Sequence, residues 1–189
     1  MKIGILYDSS EAEARLLFDR VSRESTSRAE EVAVIDVAEA ASAPCVCCFQ
    51  CWTKTPGICV LKRDGGTTLS EKFWDARYVI LISRITWGGL SVRVKLYLDR
   101  LIPILHPYFR KVNGEMHHQL RYDSFPIFLA AGYGARTKGE EETFRAYTSA
   151  IRDQGGDARA RGTFVASGDR PLDAAVAECG AWFAEEVAL

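Results

Sequence analysis

Residues 78–89 read YVILISRITWGG, a short apolar run that ends at an arginine and a glycine-containing turn. An apolar run of this length, without regular polar alternation, is typical of a parallel strand that is buried on both faces. Four further segments carry the same pattern: 2–7 (KIGILY), 32–37 (VAVIDV), 125–131 (FPIFLAA) and 162–166 (GTFVA). The sequence therefore predicts five buried strands.

Amphipathic segments separate these strands. A capping box formed by Ser10 and Glu13 predicts a helix that runs to about residue 23. Further helices are predicted over about 68–76, 90–105, 140–154 and 172–187. Alternating strands and helices indicate a parallel sheet with helices on both faces, joined by right-handed crossovers. We expect an α/β flavodoxin-like three-layer sandwich with strand order 2-1-3-4-5.

Length and composition exclude several classes of protein. The 189 residues suit a single domain over 1–189, and 48% hydrophobic residues can build a sizeable core. The 24 Lys and Arg balance 25 Asp and Glu, so nucleic acid is not an expected partner. We find neither an apolar run of about 18–20 residues, as a membrane span requires, nor a signal-peptide pattern. We expect a cytoplasmic protein with no membrane partner.

Ligands of this fold bind where the strand order reverses, between the carboxyl ends of the first and third strands. The loop after the first strand contains Ser9 and Ser10, whose hydroxyls and free backbone N–H groups could hold a phosphate. Glu11 and Glu13 would repel a phosphate, and helix capping alone also accounts for Ser10 and Glu13. Phosphate binding and helix capping both remain open for this loop.

The loop after the third strand offers groups that suit a flavin ring. Trp87 provides a stacking face, and Gly88-Gly89 allow the backbone to approach a planar ring closely. The Gly132-Tyr133-Gly134 segment would lie on the same rim. The candidate cofactor-binding residues are Ser9, Ser10, Arg84, Ile85, Thr86, Trp87, Gly88, Gly89, Gly132, Tyr133 and Gly134.

A long loop at about 43–66 holds five of the six cysteines. Cys45, Cys48, Cys51 and Cys59 have the spacing C-x2-C-x2-C-x7-C, which suits an iron–sulfur cluster better than zinc. Free thiols along the flavin edge, or a transient disulfide such as Cys48–Cys59, are the alternatives. Cys179 is expected to be a small buried hydrophobic residue.

Residues at about 107–124 are predicted to form an irregular flap, and the Asn113-Gly114 turn leaves open a small hairpin within it. Adjacent imidazoles point apart in an extended chain, so His117-His118 is not favoured as a metal site. The flap is expected to cover the flavin or to reach a partner subunit. Lys95 and Asp99-Arg100 recur at helical spacing, which favours a surface ion pair or a dimer contact.

Several of these segments together resemble a known family: 48–59 (CFQCWTKTPGIC), 83–89 (SRITWGG), Lys95 with Asp99-Arg100, 113–118 (NGEMHH) and Arg121-Tyr122. They resemble the flavodoxin-like NAD(P)H-dependent FMN reductases, in the cysteine-bearing branch related to iron–sulfur flavoproteins. The resemblance implies FMN at the switch point, NAD(P)H as co-substrate, and a homodimer or homotetramer. For the cysteine-bearing branch it implies a 4Fe-4S cluster as a second cofactor.

The expected function is that of an FMN-dependent oxidoreductase. It would pass electrons from NAD(P)H or a reduced carrier to a small-molecule or protein acceptor. One alternative is an iron–sulfur flavoprotein electron carrier, and another is a flavin-free flavodoxin-fold protein that acts through its thiols. Flavin chemistry requires no side chain as acid or base, so no catalytic residue is assigned.

Overall fold

The computed structural model describes residues 1–40, 42–61, 64–112, 114–123, 125–153, 162–166 and 171–188. Within these residues, five parallel strands lie in the order β2-β1-β3-β7-β8, and a short sixth strand, β4, pairs antiparallel with β3. This confirms the predicted α/β class and the order 2-1-3-4-5. The sheet strands are β1 (Lys2–Tyr7), β2 (Glu31–Asp36), β3 (Tyr78–Thr86), β4 (Gly89–Leu90), β7 (Ile127–Tyr133) and β8 (Thr163–Ala166).

Helices cover both faces of the sheet. On one face, α1 and α6 pack together over Ile80 and Ile82 of β3; on the other, Val79 and Leu81 face α3, α4 and α5. Both faces of β3 are therefore buried, which explains why its sequence is apolar without alternation. The helices are α1 (Ala12–Arg28), α2 (Gln50–Thr53), α3 (Thr67–Phe73), α4 (Val92–Asp99), α5 (Lys138–Asp153) and α6 (Leu172–Glu186).

The segment after α4 differs from the prediction. The expected helix over 90–105 stops at Asp99, and a 3₁₀ turn at Ile102–Ile104 follows, in which Pro103 cannot donate a helical hydrogen bond. The expected flap contains the hairpin that the sequence leaves open at its turn, and this hairpin is longer and more regular than expected, with β5 (Leu105–Val112) antiparallel to β6 (Glu115–Leu120). Asn113 of the predicted turn and Gln154, the predicted end of the fourth helix, lie outside the described residues.

The start of α1 is a second difference. The residue at the helix N-cap is Glu11, whose side chain makes no capping hydrogen bond within the described part of the chain. The predicted capping box is wrong because Ser10 donates its hydroxyl to the neighbouring carboxylate of Asp8 instead. Among the described helices, none is long and apolar enough to cross a membrane.

Candidate functional site

The loop between β1 and α1 lies at the predicted switch point. The backbone N–H groups of its two serines already donate to carboxylates. The backbone N–H of Ser9 donates to Asp36 Oδ1 at 3.0 Å, and that of Ser10 donates to Asp8 Oδ1 at 3.0 Å. Burial alone would raise the pKa of Asp36, but hydrogen bonds from Ser9 outweigh it and hold that pKa below its usual value. Carboxylates therefore occupy the backbone donors that were predicted to hold a phosphate.

Three arginines stand beside this acidic loop, and one of them, Arg15 of α1, donates from Nη1 to the carbonyl oxygen of Ser9. Arg93 Nη1 lies 3.3 Å from Asp8 Oδ2 and 2.9 Å from Ser10 Oγ. Arg84, from β3, donates from Nη2 to Glu11 Oε2 at 2.8 Å and from Nε at 3.2 Å. The side chains of Arg84 and Arg93 are 43% and 56% exposed, so solvent reaches both cations.

The Arg84–Glu11 pair spans the switch point, because it joins the loop after β1 to the end of β3. The hydrogen bond with Glu11 is the main cause that raises the pKa of Arg84 above its usual value. The guanidinium also lies 5.9 Å from the ring centre of Tyr133 in β7, within range of a cation–π contact. Burial raises the pKa of the Tyr133 phenol, which is therefore neutral near pH 7.

The turn between β3 and β4 presents a bare aromatic side chain. Thr86 pairs with Gly89 across the turn, and Trp87 and Gly88 have φ values of 52° and 78°. Trp87 is 87% exposed although a left-handed backbone is unfavourable for a bulky residue. A Cβ at Gly88 would stand 2.6 Å from the side chain of Thr143 in α5, so this turn is packed against the helix.

Some of the other predicted cofactor-binding residues lie on the rim of the candidate site, at the carboxyl ends of the strands, and others lie in the protein interior beneath it. Gly134 is exposed, has φ 73°, and lies next to Arg84, so it belongs to the rim. Ile85 and Gly132 are buried and pack together beneath that rim, with Phe144 over Gly132. The structure thus brings together Ser9, Ser10, Arg84, Thr86, Trp87 and Gly134 around the carboxyl ends of β1, β3 and β7, while Ile85 and Gly132 support them from below.

The cysteine-rich loop closes over a small apolar cavity. Its volume is about 50 Å³, and Val46, Val60 and Ile102 provide part of the apolar lining. Burial raises the pKa of the Cys45 and Cys51 thiols. Within the described residues, no group of three or more His, Cys, Asp or Glu side chains is arranged to hold a metal ion, so a 4Fe-4S cluster gains no support. The cysteines that line the cavity are Cys45, Cys47, Cys48, Cys51 and Cys59.

A buried arginine holds this loop, and no sequence motif indicated its burial. Arg100 is 1% exposed and makes a two-bond ion pair with Asp64, rather than the predicted surface or dimer contact. Its Nη1 and Nη2 also donate to the carbonyl oxygens of Ala43 and Leu61 at 3.0 Å each. Lys95 and Asp99 do pair with each other on α4, as their spacing predicted. Arg100 therefore joins both ends of the cysteine-rich loop to the end of α4.

The β5–β6 hairpin contacts the same loop. The ring of Trp52 lies 5.4 Å from that of His118, which also stacks on Phe109 at 4.7 Å. The Nδ1 atom of His118 lies 2.8 Å from the carbonyl oxygen of His106, and His117 is buried with Nε2 3.5 Å from Glu115. The two histidines thus stabilise the hairpin and its contact with the loop.

Comparisons with known proteins establish the fold. No protein-family model matches the sequence, and no curated protein matches it either. Solved structures do match: an FMN-dependent NADH-azoreductase from Bacillus anthracis in complex with FMN is 12% identical, with a TM-score of 0.62 over 97% of this chain and 98% of that one. An NAD(P)H:quinone oxidoreductase from Methanothermobacter marburgensis is 12% identical, with a TM-score of 0.67 over 97% and 98%.

The flavodiiron protein from Giardia intestinalis is also similar, at 10% identity and a TM-score of 0.58, over 98% of this chain. This chain spans only 35% of the length of that protein. Identities this low show a shared fold and nothing finer. The chain is therefore an α/β protein of the flavodoxin-like fold.

Proposed function

We propose that this protein is an FMN-dependent oxidoreductase that takes electrons from NAD(P)H and passes them to a small-molecule or protein acceptor. The observation that carries the proposal is Trp87, an 87% exposed aromatic at the switch point on a left-handed backbone. An aromatic in that position stabilises nothing in the fold, whereas it offers a flat apolar face to a ring system. The solved structures of similar fold include an FMN-dependent azoreductase and a quinone oxidoreductase, which supports the same class.

The ring end of the proposed site is built by two rims. Trp87 and the Gly88-Gly89 backbone would border the isoalloxazine on one side, and Tyr133-Gly134 on the other. Bound FMN would supply the electron-transfer chemistry, accepting a hydride from the nicotinamide and delivering electrons one or two at a time. The chain itself would position the ring edge and exclude water from it, and no side chain need act as an acid or base.

The phosphate end depends on cations rather than on backbone donors. Because Asp8 and Asp36 accept from the N–H groups of Ser10 and Ser9, those two backbone donors are not free for a phosphate, and side-chain cations gain in importance. Arg15, Arg84 and Arg93 each place an exposed guanidinium group next to this loop, and those of Arg84 and Arg93 are already paired with a carboxylate. Guanidinium groups bind phosphate well, but a guanidinium that leaves a carboxylate to bind a phosphate gains little net free energy. We therefore expect the ring, more than the phosphate, to determine flavin affinity.

The proposal also covers the domain organisation and the oligomeric state of the protein. We propose a single domain over 1–189 and a homodimer or homotetramer in which the β5–β6 hairpin reaches a partner subunit. The hairpin presents Tyr108, Phe109 and Met116, each at least 60% exposed, which suits a contact between subunits.

The experiment that tests the function begins with protein purified without oxygen. Its visible spectrum is recorded before and after addition of FMN, and the fluorescence of FMN is titrated with protein. We expect FMN fluorescence to be quenched with saturation, and the yellow bands to bleach when NADH or NADPH is added. A protein that leaves FMN fluorescence unchanged at high concentration would show that the proposed function is wrong. Size-exclusion chromatography with light scattering tests the oligomer separately.

A further inference from the structure

The cavity beneath the cysteine-rich loop is lined by five thiols and is too small for a cofactor. Its volume of about 50 Å³ is about a third of that of an engineered apolar cavity of about 150 Å³ that binds benzene. A flavin or nicotinamide ring cannot enter it. Any chemistry in this cavity must therefore belong to the thiols themselves.

The backbone around the thiols is held in an unfavourable conformation. Cys47 and Phe49, on either side of Cys48, have φ values of 50° and 52°, in the left-handed region that favours glycine. The Phe49 ring stacks on Trp52 at 5.0 Å, and Trp52 in turn contacts the hairpin. Contacts with the hairpin thus help to keep the loop in one shape, with the five cysteines lining one cavity.

Two of the thiols are favoured as a pair. Cys51 is half-buried and Cys59 is buried, and among the charges that act on Cys51 that of Cys59 is the strongest, ahead of those of Cys45 and Cys48. Cys59 also lies within electrostatic range of the Arg100 guanidinium. The Nε atom of Arg100 is buried and has no well-formed hydrogen bond within the described residues. The Cys59 sulfur is the candidate acceptor for that N–H group, because it is close enough to the guanidinium to contribute to the raised pKa of Arg100.

We propose that Cys51 and Cys59 are a redox pair that forms a reversible disulfide by exchange with a small-molecule disulfide of the glutathione type. This activity goes beyond the proposed flavin chemistry and does not require it. The pair closes a short loop, whose Gly57 has a left-handed φ of 89° that allows the chain to turn back between the two cysteines.

The exchange takes two balanced steps. The Cys51 thiolate attacks one sulfur of the external disulfide, the S–S bond breaks, and one external thiolate leaves with the electron pair. The Cys59 thiolate then attacks the Cys51 sulfur of the mixed disulfide, and the second external thiolate leaves. The two cysteine protons end on the two released thiols. Two protein thiols are oxidised and one external disulfide is reduced, and excess external thiol reverses both steps.

Trypsin makes the proposal directly testable. Cleavage after Lys54 separates Cys59 from the peptide that carries Cys45, Cys47, Cys48 and Cys51. The full-length reduced protein is equilibrated without oxygen in mixtures of reduced and oxidised glutathione, quenched with acid, alkylated, digested and analysed by mass spectrometry. We expect the two peptides to be joined through Cys51 and Cys59, and to separate when excess reduced glutathione is added.

Matched variants decide between pairings. Cys59→Ser should stop at a mixed disulfide of glutathione on Cys51, whereas Cys48→Ser and Cys179→Ser should leave the joined peptides at the wild-type level. Circular dichroism confirms that each variant is folded. A disulfide confined to the peptide that ends at Lys54, or Cys51 and Cys59 free under oxidising mixtures, would overturn the proposal. Iron and sulfide bound to the purified chain would overturn it as well, whatever the outcome of the FMN titration.

Discussion

Arg100 and Asp64 form a two-bond ion pair across 36 residues of sequence, with Nη1–Oδ2 at 2.9 Å and Nη2–Oδ1 at 3.0 Å. The arginine side chain has no exposed surface, and the aspartate side chain is 18% exposed. A buried charge is costly unless it is paired, so this pair is complete only while the cysteine-rich loop is docked. The conformation of the loop and the burial of Arg100 therefore depend on each other.

Removal of the carboxylate should destabilise the protein. We expect Asp64→Asn to lower the free energy of unfolding by about 3 kcal/mol, because it leaves the Arg100 charge buried without its partner. The matched control is Asp99→Asn, which breaks an exposed pair with Lys95 and should cost less than about 1 kcal/mol. Urea unfolding measures both changes. Equal losses in the two variants would contradict the role assigned to Arg100.

The same pair predicts a pH dependence. Burial alone would raise the pKa of Asp64, but hydrogen bonds from Arg100 and the Ala43 amide outweigh it and hold the pKa below its usual value. The carboxylate therefore contributes stability fully above its unfolded pKa of about 4, and this contribution is lost as pH falls through the lower folded pKa. The stability difference between wild type and Asp64→Asn should shrink in acid. A difference that stays constant from pH 7 to pH 3 would be inconsistent with this assignment.

The exposed aromatic at the switch point should affect flavin affinity. We expect Trp87→Ala to weaken FMN binding about tenfold, since an aromatic pair contributes about 0.5–1.5 kcal/mol beyond the area it buries. Trp74→Ala is the matched control, because Trp74 is 40% exposed and packs on Tyr122 at the amino end of β3, on the opposite edge of the sheet. Fluorescence titration compares the FMN affinities of the two variants. A similar loss of affinity in both would show that Trp87 does not contact the flavin.

The acidic loop should determine how well the phosphate is recognised. Glu11→Gln removes the carboxylate that pairs with Arg84, and we expect FMN to gain several-fold in affinity while riboflavin, which lacks the phosphate, changes little. Glu13→Gln makes the same change of charge nearby without breaking that ion pair, so it controls for long-range electrostatics. If riboflavin and FMN gain equally, Arg84 does not contact the phosphate.

The sheet could be predicted from the sequence because burial on both faces leaves an apolar run in each strand, as in β3 and β7. The sequence leaves open a small hairpin at the Asn113-Gly114 turn, but its length and regularity could not be predicted, because β5 is only partly buried and contains Pro107, so no clear alternation marks it. The burial of Arg100 could not be predicted from the sequence either. Its spacing from Lys95 along the chain suggested a surface pair, whereas its partner Asp64 comes from a distant loop.

The sequence predicted where the candidate residues lie in the fold, but not the hydrogen bonds and ion pairs that they make with one another. Ser10 matched a capping box, yet the carboxylate of Asp8, two residues away, accepts hydrogen bonds from both the backbone N–H and the hydroxyl of Ser10. Local competition of this kind depends on side-chain geometry that a motif does not specify. Arg84 was among the predicted cofactor-binding residues, but its pairing with Glu11 could not be predicted because it requires the sheet to bring the two loops together.

The left-handed backbone at Trp87 has a consequence for how this position tolerates change. Asparagine and glycine adopt that backbone at little cost, and a side chain that is 87% exposed contributes almost no packing. Replacement of the tryptophan by either residue should therefore leave the chain at least as resistant to denaturation as before. The residue present is unfavourable for the turn, so folding alone does not account for it, and a library screened only for thermal tolerance would discard it.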